Sequence, residues 1–441
     1  MPPEQKAAGS IPAGGTAISS PASVRCAPTV FEKVPGRRTM TAPPTPARQR
    51  IPAVVWVLVS AAFVIALGYG LVAPVLPAFA RSFHVSITAA TMVVSAFALM
   101  RLAFAPATGP LVQRLGERPV YLAGLLIVAA STLACAFAQG YWQLLVLRAL
   151  GGVGSVMFTV SAMSLLIRIS PPEIRGRVSG VYSSSFVLGS IIGPLIGGGL
   201  VGLGLRAPFV VYAAALLVAT AVVWLALRNS AVVGEVVEHQ AGTALREALR
   251  DGAYRAALVT AVVYGWLYAM RVSLLPLFFT EVLHSTPRMA GFALAAYAAG
   301  DVLVMIPAGR LSDRFGRRPF LILGMVVLGA STAALALTDS VGAALAVTAV
   351  AGMGTGLVAP VIQATVADVL YGGRGGTALS TYQMSQDGGT IAGPVIAGVI
   401  ADRFGFGPAF VLTAVLAAIV AALWTGTRET RGREPLTTVD A

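Results

Sequence analysis

The chain has 441 residues, of which 56% are hydrophobic and 11% charged, whereas a soluble domain carries roughly a quarter charged residues; an ordinary water-soluble fold is excluded. The net charge of +13 invites a nucleic-acid reading, but the basic residues fall between apolar stretches rather than in one patch, so the charge reports topology and no nucleic-acid partner is expected. Two cysteines, Cys26 and Cys135, and three scattered histidines give neither a disulfide framework nor a metal-ligand spacing, so no metal or other cofactor is expected.

Residues 1–50 are rich in proline, small residues and arginine, with no apolar run of the signal-peptide kind. That composition cannot bury enough apolar area to fold, so a disordered cytoplasmic tail is expected. Met40 opens a short basic lead into the first apolar stretch and offers an alternative start. From Pro52 to Trp424 the chain repeats apolar stretches near the roughly 20 residues that cross a hydrocarbon core. The expected spans are 53–79, 88–112, 120–138, 142–167, 177–203, 207–227, 256–280, 289–309, 319–337, 341–367, 377–400 and 407–426. They predict an all-α polytopic membrane protein with twelve transmembrane helices. The N-terminal six-helix bundle covers 51–227, a cytoplasmic linker 228–255, the C-terminal bundle 256–426 and a cytoplasmic tail 427–441. The linker reads first as a tether between the halves, with TALREALRDGAYR patterned so that it can also lie as an amphipathic helix on the cytoplasmic face.

With both termini cytoplasmic, Arg81, Arg206, Arg288 and Arg403 are the external ones among the 31 Lys and Arg, and Arg101, Arg148 and Arg271 lie within spans. The rest are internal, as the positive-inside rule requires. Lys6 and Lys33 are the only lysines, an arginine bias that hints at a bacterial source and hence the cell membrane.

Comparing the chain with itself reveals a repeat. Gly109, Gly116, Arg118 and Pro119 recur 200 residues later as Gly309, Gly316, Arg318 and Pro319, and Gly152 and Gly154 as Gly352 and Gly354. The register holds through Tyr182 and Tyr382, Gly189 and Gly389, Gly193–Pro194 and Gly393–Pro394, and Pro208 and Pro408. Two parallel six-helix halves follow, because an even number of crossings restores orientation, and such halves enclose a site between them.

The sequence GRLSDRFGRRP, Gly309 to Pro319, resembles the signature loop of the major facilitator superfamily between its eighth and ninth helices. The resemblance assigns a gate-bracing role to Gly309, Asp313, Arg314, Gly316, Arg317 and Arg318. The first-half copy, GPLVQRLGERP, keeps Gly109, Arg114, Gly116 and Arg118 but has Gln113 where the family usually has Asp, and Glu117 where a basic residue is common. Arg148 with Gly152 and Gly154 resembles the family's arginine motif on the fourth helix, where that arginine is associated with proton transfer. The alternative is a structural charge, bonded to carbonyls or reaching outward. Gly180, Gly189, Gly193, Pro194, Gly197 and Gly198 reproduce the spacing of the antiporter motif in drug-exporting branches of the superfamily, and glycines so spaced also suit close helix packing. The first span, GYGLVAPVLP, carries Pro74 and Pro77 as many drug exporters do, and has no carboxylate.

Ionisable groups in hydrocarbon cost several kcal/mol and mark a pathway or a pair. The candidates are Arg101, Arg148, Arg271, Asp301 and Asp387, with Asp368 near a cytoplasmic end. The family fold would place Arg101 and Asp387 face to face, and Arg271 and Asp301 at one depth, paired or lining the cavity together. Asp387 and Asp301 are then the candidate proton-coupling groups, with static braces as the alternative. Tyr264, Tyr268, Tyr297, Gln363, Tyr382 and Gln386 are candidates for the cavity wall. The resemblance implies secondary transport with no cofactor beyond the proton gradient, by a monomer in a lipid bilayer. Efflux of a small amphipathic drug or metabolite leads, with uptake of a polar nutrient as the alternative. No nucleophile elbow, metal cluster or phosphate loop suggests an enzyme.

Overall fold

The computed structural model describes residues 51–170, 174–228, 243–369 and 376–430. The expected disorder of 1–50, the start at Met40, half of the linker and most of the C-terminal tail lie outside the described residues.

Fourteen α-helices follow one another, with no strand among the described residues: α1 Ala53–Val72, α2 Leu76–Arg81, α3 Ile87–Leu115, α4 Glu117–Ala136, α5 Tyr141–Ile169, α6 Arg175–Leu200, α7 Ala207–Leu227, α8 Thr243–Arg250, α9 Gly252–Leu277, α10 Pro287–Phe315, α11 Arg318–Leu335, α12 Val341–Val369, α13 Gly376–Phe404 and α14 Phe406–Thr425. Eleven helical segments are long and apolar enough to cross a membrane. The twelfth crossing, α13, has the length, 29 residues, but its Ser380–Asp387 stretch is polar. Within that stretch Tyr382 is buried and Gln386 and Asp387 line a cavity, positions in which polar groups are tolerated at membrane depth.

The first expected span is interrupted. Pro74 and Pro77 remove two backbone donors, and the chain turns at Ala73–Val75 before resuming as α2. Helix ends elsewhere follow local chemistry. Ser86 caps α3, its hydroxyl accepting from the Ala89 amide at 3.1 Å. Both signature loops turn on a glycine of positive φ, 84° at Gly116 and 99° at Gly316, where a Cβ would be strained.

The two halves repeat the same packing. In the first, α6 lies on α1, and α5 is wedged between α3 and α4; in the second, α13 lies on α9, and α12 between α10 and α11. Glycines set these contacts. A Cβ on Gly152 would come 2.2 Å from the Phe97 carbonyl, and one on Gly352 would come 1.9 Å from that of Tyr297. On α6 the antiporter-motif glycines Gly189, Gly193 and Gly197 meet the α1 backbone at Phe63, Leu67 and Leu71. Gly198 instead approaches Arg288 and Gly291 of α10, in the other half, and Gly180 meets nothing.

The amphipathic segment of the linker forms α8. Its Ala248 is buried beside Tyr254 and Ala378, and the Tyr254 hydroxyl donates to the Ala378 carbonyl at 2.7 Å. Over 243–250 the linker is therefore docked on the second half rather than a loose tether.

Gly193→Ala should lower the thermal unfolding midpoint of the detergent-purified protein, since overpacking costs about 1–3 kcal/mol. Gly180→Ala, with open space at its Cβ, should leave the midpoint unchanged or slightly raised. Heating followed by size-exclusion chromatography measures both.

Candidate functional site

The halves touch chiefly along two helix pairs, α3 with α13 and α6 with α10, with smaller contacts of α9 on α2 and α3. Away from the signature loops this interface is closed by polar contacts. Thr91 donates its hydroxyl to the Pro394 carbonyl at 2.7 Å and Ser95 to that of Ile391 at 2.8 Å. Asp402 of α13 accepts the amides of Ile87 and Thr88 at 2.8 Å each, placing a carboxylate on the exposed donors at the start of α3. Arg81 and Glu281 form an ion pair at 2.6 Å. These two residues occupy equivalent positions of the 200-residue repeat, so the pair closes across the pseudo-twofold axis. The turns that follow them match as well, through His84 and His284, both of positive φ.

At the signature-loop end, by contrast, Ser183 and Ser184 of α6 and Gln383 and Met384 of α13 are exposed. The space between the halves is thus closed at one end and open at the other.

That space has two lobes sharing Tyr69, Phe186 and Tyr268. The first, about 240 Å³, is lined by Arg101, Arg148, Gln386 and Asp387 among aromatic side chains and the hydroxyl residues Ser155, Thr159 and Thr390. The second, about 320 Å³, is lined by Tyr264, Arg271 and Asp301. Arg101 Nε stands 3.9 Å from Asp387 Oδ2, across the interface between halves and beyond hydrogen-bonding range. Arg271 and Asp301 line the second lobe together but make no ion pair within 4 Å. The Arg271 guanidinium instead lies over the rings of Tyr297 and Tyr268, 4.2 and 4.9 Å from their centroids, and the buried Asp301 Oδ1 has no hydrogen-bond partner.

Arg148 is 6% exposed. It neither reaches outward nor bonds a carbonyl, as the structural alternative would have it; its guanidinium packs 4.5 Å from the Phe97 centroid and 5.8 Å from that of Tyr69. Such contacts stabilise a desolvated cation by about 2 kcal/mol.

Of the wall candidates, Tyr264, Tyr268 and Gln386 line the lobes. Tyr297 stands behind Arg271, its hydroxyl bonded to Thr355. Tyr382 is buried in the apolar core of the second half, and Gln363 is exposed and lines neither lobe; a polar side chain within a span is a poor guide to the direction it faces. Sequence reasoning missed Tyr69, Phe97, Phe186 and Tyr212. Phe97 was within reach, because it is the repeat partner of the candidate Tyr297.

The signature loops brace each half from within. In the second half Arg317 bonds Asp313 and reaches Asp368 at 3.2 Å. Glu429, beyond α14, accepts the amides of Arg317 and Arg318 at 2.8 and 3.1 Å, filling the space beside Gly316, and Arg318 Nε donates to the Trp424 carbonyl at 2.9 Å. In the first half Arg168 meets Glu117 at 2.5 Å. These are the repeat partners of Asp368 and Arg317, so the same bridge is built with its signs exchanged. The unusual Glu117 is the acidic member of that bridge.

The chain resembles known proteins along most of its length. The sequence profile described as Major Facilitator Superfamily matches residues 58–284 and 257–440. Multidrug resistance protein 2 of Bacillus subtilis (strain 168) is 26% identical over 361 residues, covering 78% of this chain and 88% of that one. The class B tetracycline resistance protein of Escherichia coli is 29% identical over 282 residues, covering 62% and 69%. Among solved structures, a bacterial homolog to the human lysosomal transporter Spinster, in an inward-facing and unoccupied conformation, superposes with a TM-score of 0.74 at 18% identity, over 84% of this chain and 95% of that one.

Reversing one charge of the axial pair, Arg81→Glu, should separate the halves at the closed end, and adding Glu281→Arg should bring them back. Electron-resonance distances between spin labels flanking the pair measure this; equal distances in all three proteins would remove the pair from any role in closure.

Proposed function

The chain belongs to the major facilitator superfamily, and on that premise we propose that it exports a small amphipathic molecule, a drug or secreted metabolite, in exchange for protons by alternating access. The observation that carries the proposal is the cavity between halves, open at the signature-loop end and holding Arg101 and Asp387 on opposite walls. The charge distribution supports taking that end as cytoplasmic, which makes this conformation the one that loads from inside the cell.

Aromatic walls with a few polar groups suit a semi-polar organic molecule, and the multidrug and tetracycline resistance proteins named above support an exporter. In the proposed cycle a substrate enters between the halves, which rock about the midplane site as the Arg81–Glu281 and Asp402 contacts open. Asp387 then meets external water. When it gains a proton, its attraction for Arg101 disappears; when it loses that proton inside, the attraction returns. Interfacial contact between α3 and α13 is thereby linked to proton traffic. Asp301, buried beside Arg271 without an ion pair, is a second station for the same exchange. One proton crossing 100 mV releases about 2.3 kcal/mol, enough to hold a neutral substrate at a gradient of roughly 50-fold.

The test uses everted membrane vesicles acidified by respiration, to which candidate amphipathic drugs are added while internal pH is followed. Drug-triggered proton release is expected from the unaltered protein and not from Asp387→Asn, with folding of the variant checked by size exclusion. Full activity in the folded variant would remove Asp387 from coupling.

A further inference from the structure

Three arginines and two aspartates face the cavity, and they are not equally satisfied. Arg101 has Asp387 across the interface. Arg271 shares its lobe with Asp301. Arg148 shares its lobe with one carboxylate, Asp387, which Arg101 already approaches, and it makes no ion pair or hydrogen bond among the described residues. Its Nε is buried without a partner. A guanidinium packed against aromatic rings, with no hydrogen bond of its own, retains unused donors in the fork geometry that matches a carboxylate or phosphate. Leaving them unmet is costly in a low-dielectric surrounding.

We propose that the exported molecule carries an acidic group that docks on Arg148, with its apolar body against Tyr69, Phe97 and Phe158. This rests on the cavity being the substrate site. Phe158 and Phe97 line the same lobe as Arg148, and Ser155 and Thr159, on the same helix α5 as Arg148, line it too and add hydroxyls along the path. A lobe of about 240 Å³ holds a compact aromatic acid. The local charge also argues against a cationic substrate: the lobe carries Arg101 and Arg148 against Asp387, an excess of one positive charge whenever Asp387 is ionised. Exchange of one such anion for one proton moves two elementary charges across the membrane in the same sense, so the membrane potential drives both movements.

The proposal is tested by binding alone, without transport. The purified protein is heated with charge-matched sets built on one ring system: 2-naphthoate, its methyl ester and 2-naphthylmethylammonium; then indole-3-acetate, its methyl ester and tryptamine. The acids should raise the unfolding temperature while the esters and amines do not. Arg148→Gln should weaken the acids roughly tenfold or more, the scale of a lost charge-assisted pair. If Arg148→Gln does not purify as a monodisperse species, Arg148→Lys takes its place: it keeps the charge, loses the fork, and should weaken the acids less while still excluding the amines. Stabilisation by the amines or esters equal to that by the acids overturns the proposal. So does stabilisation by no acid in either set, or acid binding that survives Arg148→Gln. If the acids bind but the vesicles release no protons, the coupling reading fails and acid docking on Arg148 stands. If amines trigger proton release and Arg148 does not matter, the reverse holds.

Discussion

Within a bilayer no hydrophobic force draws one helix to another, because lipid tails are as apolar as leucine; helices hold together where their backbones can come close and where polar groups meet. Both devices are used here, in different places. Inside each half the contact is backbone on backbone, through Gly152 and Gly352 against the carbonyls of Phe97 and Tyr297, and through Gly189, Gly193 and Gly197 along α1. Between the halves, fewer glycines serve, among them Gly198 against Gly291, and apolar packing is joined by hydroxyls, the Asp402 cap and the Arg81–Glu281 pair, which gather at one end. Dense packing resists deformation, whereas the hydrogen bonds and the ion pair of the seam can be exchanged for water. The chain is thereby divided into two stiff bodies and one seam that can part.

The cavity follows from the same division. Stiff halves that meet at one end leave a gap at the other, and the gap admits side chains that lipid would not. The three arginines show three ways of keeping a cation in that space: Arg101 beside an aspartate across the seam, Arg271 over two tyrosines with an aspartate in the same lobe, and Arg148 over Phe97 and Tyr69. Rings screen a guanidinium without using its hydrogen-bond donors. A residue held this way stays available to a partner that arrives and leaves, whereas a full salt bridge would commit it.

Much of the fold was legible in the sequence because hydropathy and the repeat both act along the chain. Span positions need only the length of apolar runs, and the pairing of halves needs only landmarks at a constant offset. What sequence showed less well depends on direction around a helix axis. Tyr382 and Gln386 sit one turn apart on α13, yet one is buried in the core and the other lines the cavity. The depth of Arg101 and Asp387 was readable; the stacking of Arg271 on tyrosine, in place of a direct pair with Asp301, was not, since it depends on side-chain rotamers. Arg81 was read only as an external charge. Opposite signs at equivalent positions of the repeat are the signal for the pair, one that a repeat defined by identical residues does not carry. The break in the first span was signalled by Pro74 and Pro77 but was passed over in favour of a continuous apolar run.

The sign exchange at the signature loops bears on how the chain reaches its fold. A protein built from two similar halves risks joining the loop of one to the helix end of the other while both are still arriving in the bilayer. Here such a swap would set Glu117 against Asp368 and Arg317 against Arg168, like against like in both cases. Within a half the same four residues attract. Opposite polarity thus gives each half a private key, discriminating against the wrong mate by repulsion as well as rewarding the right one, and a duplicated architecture can assemble in the membrane without confusing its two copies.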